Sequence, residues 1–417
     1  MEEKMEAIME ENMKEIESME FEEEVNEENE GNDDIDSQAT ESQEFDEMET
    51  SYTSPTYEEQ DCEYSDNGWI GGYRRIKIGD TLNYGRYRVV KKKGWGSFST
   101  TWIVQDTLTK KNCIMKVIKS GTKYYDSALI EIELLKTVQG AKNIVQYVSD
   151  FEIEDEFAPL TYYDDRDEKL FHKCIVMEDH GENLLNLYKH YPGKKIPFSV
   201  IKQVGCELLE ALVSLKKKKI IHSDIKPENV VFEIVKKGDN PEDDIIKITL
   251  IDIGSGFFKD NKSHGVLSTR QYRAIEIILD FPTIDEKIDV WSVGCLLFEL
   301  AAGECQYLFD PHTGETYNRD EHHLAFIFEL VCKIPTYDFV SKGYMCTDYF
   351  IQNARTGIVE LKNIKQIHCF SLYDVLVEKY KWTSELSVMF SNLLLPMIVL
   401  NPKKRISAKN SLKMWSK

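Results

Sequence analysis

"IHSDIKPENVVF", residues 221–232, decides how this chain reads. Asp224, Lys226 and Asn229 stand at intervals of two and three between apolar flanks, Ile220-Ile221 and Val230-Val231-Phe232. The flanks predict buried anchors, so the polar centre is expected to be a short loop held at both ends. Such loops carry chemistry because a rigid scaffold aims their side chains. A carboxylate placed there accepts a proton from a hydroxyl, a lysine neutralises a phosphoryl group, and an amide oxygen holds a metal ion. The pattern H-x-D-x-K-x-x-N has four fixed positions, which makes chance matches uncommon.

Four other sites flank this loop in order. "GWGSFST" puts Gly94 and Gly96 between two predicted strands, where backbone N–H groups approach phosphate oxygens without interference from a Cβ. Taken alone, it is equally a plain hairpin turn. Ser99 stands where G-x-G-x-x-G has its third glycine, and Thr101 where valine is usual. Next is Lys116 in "IMKV", a lysine inside an apolar strand, costly to bury unless paired. Glu131, on a predicted helix, is its expected partner. In "ITLIDIGSG", Asp252 occupies the D-F-G position with Ile253 replacing phenylalanine, and is expected to be a second metal-binding carboxylate. Last, "STRQYRAIEII" carries Glu276, whose expected buried partner is Arg405 of "NPKKRISA". Asp289 in "IDVWSVG" is expected to accept hydrogen bonds from the loop backbone. Each site singly has a mundane reading. In this order they describe phosphoryl transfer, in which the protein aligns a γ-phosphate with a hydroxyl and spreads charge over Mg²⁺ and lysines. Asp224 would orient the hydroxyl, Lys226 touch the γ-phosphate, and Asn229 with Asp252 grip Mg²⁺.

Composition bounds the rest. The chain has 417 residues and a net charge of −22, unevenly spread. Residues 1–66 hold 27 acidic and two basic side chains, a net of −25, whereas the other 351 residues hold 46 and 49, a net of +3. Such a tail cannot bury enough apolar surface to order itself, so 1–66 reads as an acidic disordered segment. The near-neutral remainder has no basic-aromatic stripe, which argues against direct nucleic-acid binding. Nine cysteines are scattered singly with no C-x-x-C pair, which predicts reduced thiols in an intracellular protein. The acidic N-terminus has no apolar h-region, and no stretch approaches a membrane span.

Alternation in "YRVVKKK", "TTWIVQD", "NCIMKVIK" and "HKCIVME" predicts strands. "YDSALIEIELLKTV" predicts a helix through Ala128, Leu129, Ile132 and Leu135. Helical patterns dominate afterwards, including "FSVIKQVGCELLEALVSLKKKK" and "DVWSVGCLLFELAAG", which closes on Gly303. The expectation is an α+β chain: an ordered lead-in over 67–86, a strand-rich lobe over 87–178 with one helix, and a mainly helical lobe over 179–417.

At these residues the sequence resembles the protein kinases, and among them the SR-protein kinases, which phosphorylate serines in Arg-Ser repeats of splicing factors. "GGYRRIKIGDTLNYGRYRVVKKKGWGSFSTTW", "STRQYRAIE", "LFDPHTGETYNRDEHHLAFIFELV" and "LYDVLVEKYKW" carry that narrower likeness. The resemblance implies a bilobal fold with ATP between the lobes and Met177 and Glu178 at the hinge. Lys93, Gly94, Trp95, Gly96, Ser97, Phe98, Ser99, Thr100 and Thr101 would line the nucleotide with Lys116 and Glu131. It further implies a monomer acting on an Arg-Ser-rich protein in cytoplasm and nucleus. The lysine two residues after Asp224 is the form usual in serine/threonine kinases. Other readings are a related kinase with different targets, such as a proline-directed one, against which Gln271 beside Arg270 argues, and a pseudokinase scaffold, against which the complete catalytic set argues.

There are departures. Ser223 replaces the arginine that reads a phosphate on the activation loop, which predicts constitutive activity. Ile114 replaces a small alanine and should narrow the adenine pocket. The spacer before Asp252 is reduced to "EIVKKGDNPEDDIIKIT". Glu329 and Asp320, with Lys379 near them, are expected to hold basic substrate, while Gln306 and His322 stand where relatives place acids. Docking of long Arg-Ser peptides is therefore expected to be weak.

Overall fold

The computed structural model describes residues 72–154, 171–261, 267–353 and 357–417. The acidic segment 1–66 and residues 67–71 of the lead-in lie outside them. The chain is an α+β fold in two compact units. The smaller holds described residues up to 128 and from 150 to 176. The larger holds 129–149 and everything from 177 onward.

The smaller unit is built on a six-stranded sheet. Its strands are β1 (Thr81–Leu82), β2 (Tyr87–Gly96), β3 (Ser99–Asp106), β4 (Asn112–Ile118), β5 (Tyr147–Glu154) and β6 (Phe171–Glu178), in the order β1-β2-β3-β4-β6-β5. Alternation produces it: Tyr87 and Val89, Trp102 and Val104, and Cys113, Met115 and Val117 are buried on one face. Helix α1 (Thr122–Thr137) crosses the boundary between the units in sequence. Its Ala128, Ile132 and Leu135 are buried as expected, but Leu129 is exposed while Leu134 is buried. At 100° per residue the apolar stripe runs through 128, 132 and 135, and Leu129 falls beside it.

The larger unit packs helices α2 (Phe198–Lys217), α3 (Lys287–Ala302), α4 (Arg319–Val331), α5 (Ser384–Leu394) and α6 (Ala408–Trp415). In α3, residues from Ile288 through Leu300 are buried on every side, as an all-round apolar helix demands. Gly205 lets α2 approach α6, for a Cβ there would lie 3.0 Å from the Trp415 ring. Gly303 ends α3 at φ 127°, a conformation that side-chain-bearing residues resist. Asn318, Thr383 and Ser407 cap α4, α5 and α6 by accepting backbone N–H bonds.

Short ladders complete this unit: β7 (Glu182–Asn183) beside β9 (Val230–Lys236) beside β10 (Ile245–Leu250), β8 (Ile220–Ile221) paired with β11 (Phe257–Phe258), and β12 (Phe350–Gln352) paired with β13 (Val359–Leu361). One expectation about cysteines is corrected. Cys332, just past α4, is disulfide-bonded to Cys369, with their Cα atoms 4.8 Å apart, within bridging reach. They lie 37 residues apart in sequence, and only the return of the chain to the end of α4 brings them together.

Candidate active site

The loop between β8 and β9 is anchored as its apolar flanks predict. Ile220, Ile221, Val230, Val231 and Phe232 are all buried. The segment carrying Asp252 leaves β10 and enters β11, so both loops are clamped by the same two ladders, Val230 opposite Leu250 and Ile221 opposite Phe257. Cross-bonds reinforce them. Ile251 N–H donates to the Asn229 carbonyl at 2.9 Å. Asp224 N–H donates to His222 Nδ1 at 3.3 Å, which leaves the ring proton on Nε2 to donate to the Ile251 carbonyl at 3.0 Å. Asp289 in the first turn of α3 accepts the N–H groups of His222 and Ser223 at 2.8 and 2.9 Å. Burial pushes its carboxyl up to about 6.

The Asp224 carboxylate is densely coordinated. Oδ1 accepts the N–H and the hydroxyl of Thr269 at 3.0 and 2.7 Å. Oδ2 faces Lys226 Nζ at 2.8 Å and accepts Asn229 Nδ2 at 3.1 Å. Lys226 Nζ also donates to Thr269 Oγ1 at 2.9 Å. Burial drives this carboxyl upward, yet the lysine and threonine outweigh it and hold it below the usual aspartate range. Thr269 was not singled out from the sequence. It is one hydroxyl among many there, brought to Asp224 only by closure over 45 residues.

Asn229 spends its amide nitrogen on the Asp224 carbonyl and carboxylate, which turns its side-chain oxygen toward any other ligand. Asp252 sits next to it through the Ile251–Asn229 bond, in the left-handed region at φ 59°, ψ 59°. A non-glycine residue persists there only when its surroundings over-determine it. One carboxylate and one amide oxygen form a hard oxygen donor set that fits Mg²⁺, an ion that keeps several waters. Gly254 follows, and a Cβ at that position would fall 2.8 Å from Oε2 of the buried Glu131. In the same unit Met177 is buried, and Glu178 N–H donates to the Gln146 carbonyl at 3.1 Å.

Ser223 replaces an arginine and makes different bonds. Its hydroxyl donates to the Ser255 carbonyl at 2.7 Å, and its carbonyl accepts the Ser268 hydroxyl at 2.7 Å. Glu276 and Arg405 form a buried two-pronged ion pair at 2.6 and 2.8 Å. Asp320 departs from expectation. It is paired with Arg270 and lies 4.0 Å from Arg273, so its charge is already matched. Glu329 accepts His368 N–H at 3.2 Å, Gln306 accepts the Tyr380 hydroxyl at 3.3 Å, and Lys379 lies over the Tyr380 ring. His322 packs against Phe326 with ring centroids 4.3 Å apart.

The smaller unit carries the remaining residues. Gly94 and Gly96 end β2, and a Cβ on either would meet no atom within 4 Å, so the space above them is open to a ligand. Lys93, Trp95, Ser97 and Phe98 are exposed around them. Lys116 pairs with Thr101 in the β3–β4 ladder and shares a strand face with the half-buried Ile114. Ser99 is nearly buried, and Thr100 points to the inner face, where its hydroxyl accepts the Trp102 indole N–H at 3.0 Å. Strand parity thus turns the Thr100 side chain toward the core, away from the nucleotide-lining place expected of it, and puts Thr101 on the opposite face.

Comparison with known proteins agrees with this geometry. Residues 87–415 match the protein kinase domain family. The serine/threonine-protein kinase SRPK of Physarum polycephalum is 32% identical over 391 residues, covering 82% of this chain and 88% of that protein. Protein kinase dsk1 of Schizosaccharomyces pombe is 27% identical over 479 residues, covering 85% and 84%. SRSF protein kinase 3 of Homo sapiens is 27% identical over 521 residues, covering 82% and 88%.

Proposed function

Because this chain belongs to the SR-protein kinases, a family of protein serine/threonine kinases, we propose that it transfers the γ-phosphate of ATP to serines in Arg-Ser-rich proteins. Mg²⁺-ATP, when bound, supplies the transferable phosphoryl group and a cation that spreads its charge. Asn229 and Asp252 would hold the cation. Gly94, Gly96 and their neighbours would cover the phosphates, with Lys116 beside them. Met177 and Glu178 would receive the base.

One observation carries the reading. Asp224, Lys226 and Thr269 form a closed triangle of contacts at 2.7 to 2.9 Å, with every acceptor position of the carboxylate occupied. When Lys226 turns to a γ-phosphate, it vacates Oδ2. That position then accepts the proton of an incoming serine hydroxyl, while Thr269 keeps Oδ1 fixed. With Lys226 and Thr269 in contact the carboxylate is held below the usual aspartate range, so it carries no proton of its own before the hydroxyl arrives.

Substrate choice rests on fewer groups. Asp320 is neutralised by Arg270, which leaves Glu329 as the main acid on α4 near the expected docking surface. Long Arg-Ser peptides should therefore dock weakly, with a salt dependence lost on Glu329→Lys. We assign the enzyme to cytoplasm and nucleus as a monomer.

The test is phosphorylation of an Arg-Ser peptide and a Ser-Pro peptide with Mg²⁺-ATP, beside Asp224→Ala. Loss of a proton acceptor lowers the rate by about 10²–10⁴. Turnover that prefers Ser-Pro removes the Arg-Ser assignment, and undiminished turnover in Asp224→Ala removes the mechanism.

A further inference from the structure

The lead-in ahead of β2 is fastened to the glycine hairpin. The Tyr73 hydroxyl donates to the Gly96 carbonyl at 2.7 Å. The Tyr73 ring meets Trp95 edge-on, with centroids 6.3 Å apart and planes at 86°. Lys119 Nζ lies 4.3 Å from the same ring's centroid, and the Lys119 N–H donates to the Phe98 carbonyl at 2.9 Å. Lys119 thus touches both the hairpin tip and the tyrosine. Alongside, Ser120 N–H donates to the Gly72 carbonyl at 3.3 Å, docking the start of the lead-in onto the turn after β4.

The consequence follows from the planarity of the peptide unit. The Gly96 carbonyl and the Ser97 N–H belong to one rigid plane and point in opposite directions. Fixing the carbonyl on Tyr73 therefore aims the Ser97 N–H away from Tyr73. The β2–β3 ladder reaches the Gly96–Ser99 pair and Lys119 holds Phe98, but the two glycines leave open space around both Cα positions, so Tyr73 is the side chain that fixes the Gly96 carbonyl itself. A loop that must be ordered on binding loses affinity to that ordering, so a tether present beforehand is recovered as tighter binding.

We propose that Tyr73 is a positioning residue for the nucleotide, holding the Gly96–Ser97 peptide so that its N–H meets a phosphate oxygen. The proposal rests on the phosphoryl-transfer reading above and adds a residue that lies outside every motif of the site. It predicts a weakening that depends on the phosphates rather than on the base.

The experiment measures dissociation constants of ATP, ADP and adenosine by calorimetry on the full chain, as wild type, Tyr73→Phe and Tyr73→Ala. The phenylalanine variant keeps the ring packing on Trp95 and Lys119 and loses only the hydroxyl, so it remains decisive if the alanine variant unfolds. Loss of one neutral hydrogen bond weakens ATP by about 3- to 10-fold. ADP is expected to weaken as well, and adenosine not at all. In turnover assays the KM for ATP rises while that for the peptide stays in place. Unchanged ATP affinity in Tyr73→Phe overturns the proposal. Equal weakening of ATP and adenosine also overturns it, by making Tyr73 a general prop of the smaller unit. Failure of the wild type to bind ATP at all overturns the phosphoryl-transfer reading itself, and this inference falls with it.

Discussion

At the scale of single residues, Asp224 is governed by opposed effects: burial raises its pKa, and Lys226 and Thr269 lower it further than burial raises it. Its depressed value has a definite sign. The ionised form adds stability and competence that are complete above the unfolded value of 3.8 and disappear as pH falls through the lower folded value. Thr269→Val removes the hydroxyl donor and keeps the backbone N–H. Burial then counts for more, and the acid limb of the kcat/KM profile moves to higher pH. Thr269→Ser should restore it. A pH profile indistinguishable from wild type would show that the hydroxyl does not set the ionisation of Asp224. Asp224, Lys226, Asn229 and Asp252 were legible in the sequence because each sits in a short motif with fixed offsets. Thr269 and the Arg270–Asp320 pair were not, since a threonine or an ion pair spanning 50 residues carries no local pattern. Thr100 was half legible: alternation along β3 foretells that it and Thr101 face opposite ways, but not which face is the core.

At the scale of elements, joints between segments decide what can be removed. Glu276 and Arg405 are almost wholly withdrawn from water, and Arg405 also stacks over Trp291 with its guanidinium carbon 4.9 Å from the ring centroid. Breaking a buried pair on one side strands a charge, which costs about 3–5 kcal/mol. Arg405→Met should lower the unfolding free energy measured in urea by an amount of that order, and adding Glu276→Gln should recover part of it by removing the stranded charge. Two single substitutions that add without any recovery would mean that the pair is not coupled. Glu276 and Arg405 were visible in sequence because one sits in "STRQYRAIEII" and the other in "NPKKRISA". The Cys332–Cys369 link was not, because nothing in the spacing of nine single cysteines marks two as neighbours. Thiol titration of the unfolded, unreduced chain should therefore find two fewer free thiols than nine. Finding all nine would remove the cross-link. Closing a loop of this length constrains the unfolded chain by roughly 3–4 kcal/mol in the entropy account, so reduction should lower stability measurably.

At the scale of the whole molecule, charge is divided rather than balanced. Residues 1–66 carry −25 and the remainder +3. The two-unit architecture was legible in outline because strand-period and helix-period patterns occupy separate stretches. The purpose of the acidic segment was not, because composition specifies a charge and not an address. Energetics narrows it. A segment with this charge attracts whichever positive surface is denser, and a net of +3 spread over 351 residues competes poorly with an Arg-Ser repeat. Attached to the enzyme, it would raise the local concentration of such a peptide without any new contact at the catalytic loop. With Asp320 already matched by Arg270, that contribution would matter more here. Removing residues 1–66 should therefore raise the KM for an Arg-Ser peptide several-fold at low ionic strength while leaving kcat unchanged. The difference should fade as salt shortens the Debye length from about 30 Å at 0.01 M to about 3 Å at 1 M. The opposite sign, a KM that falls on truncation, would mean that the segment shields the enzyme from basic substrate. A KM insensitive to truncation at every salt concentration would deny it any part in substrate capture, because a charge of this size cannot approach a basic peptide at low ionic strength without attracting it.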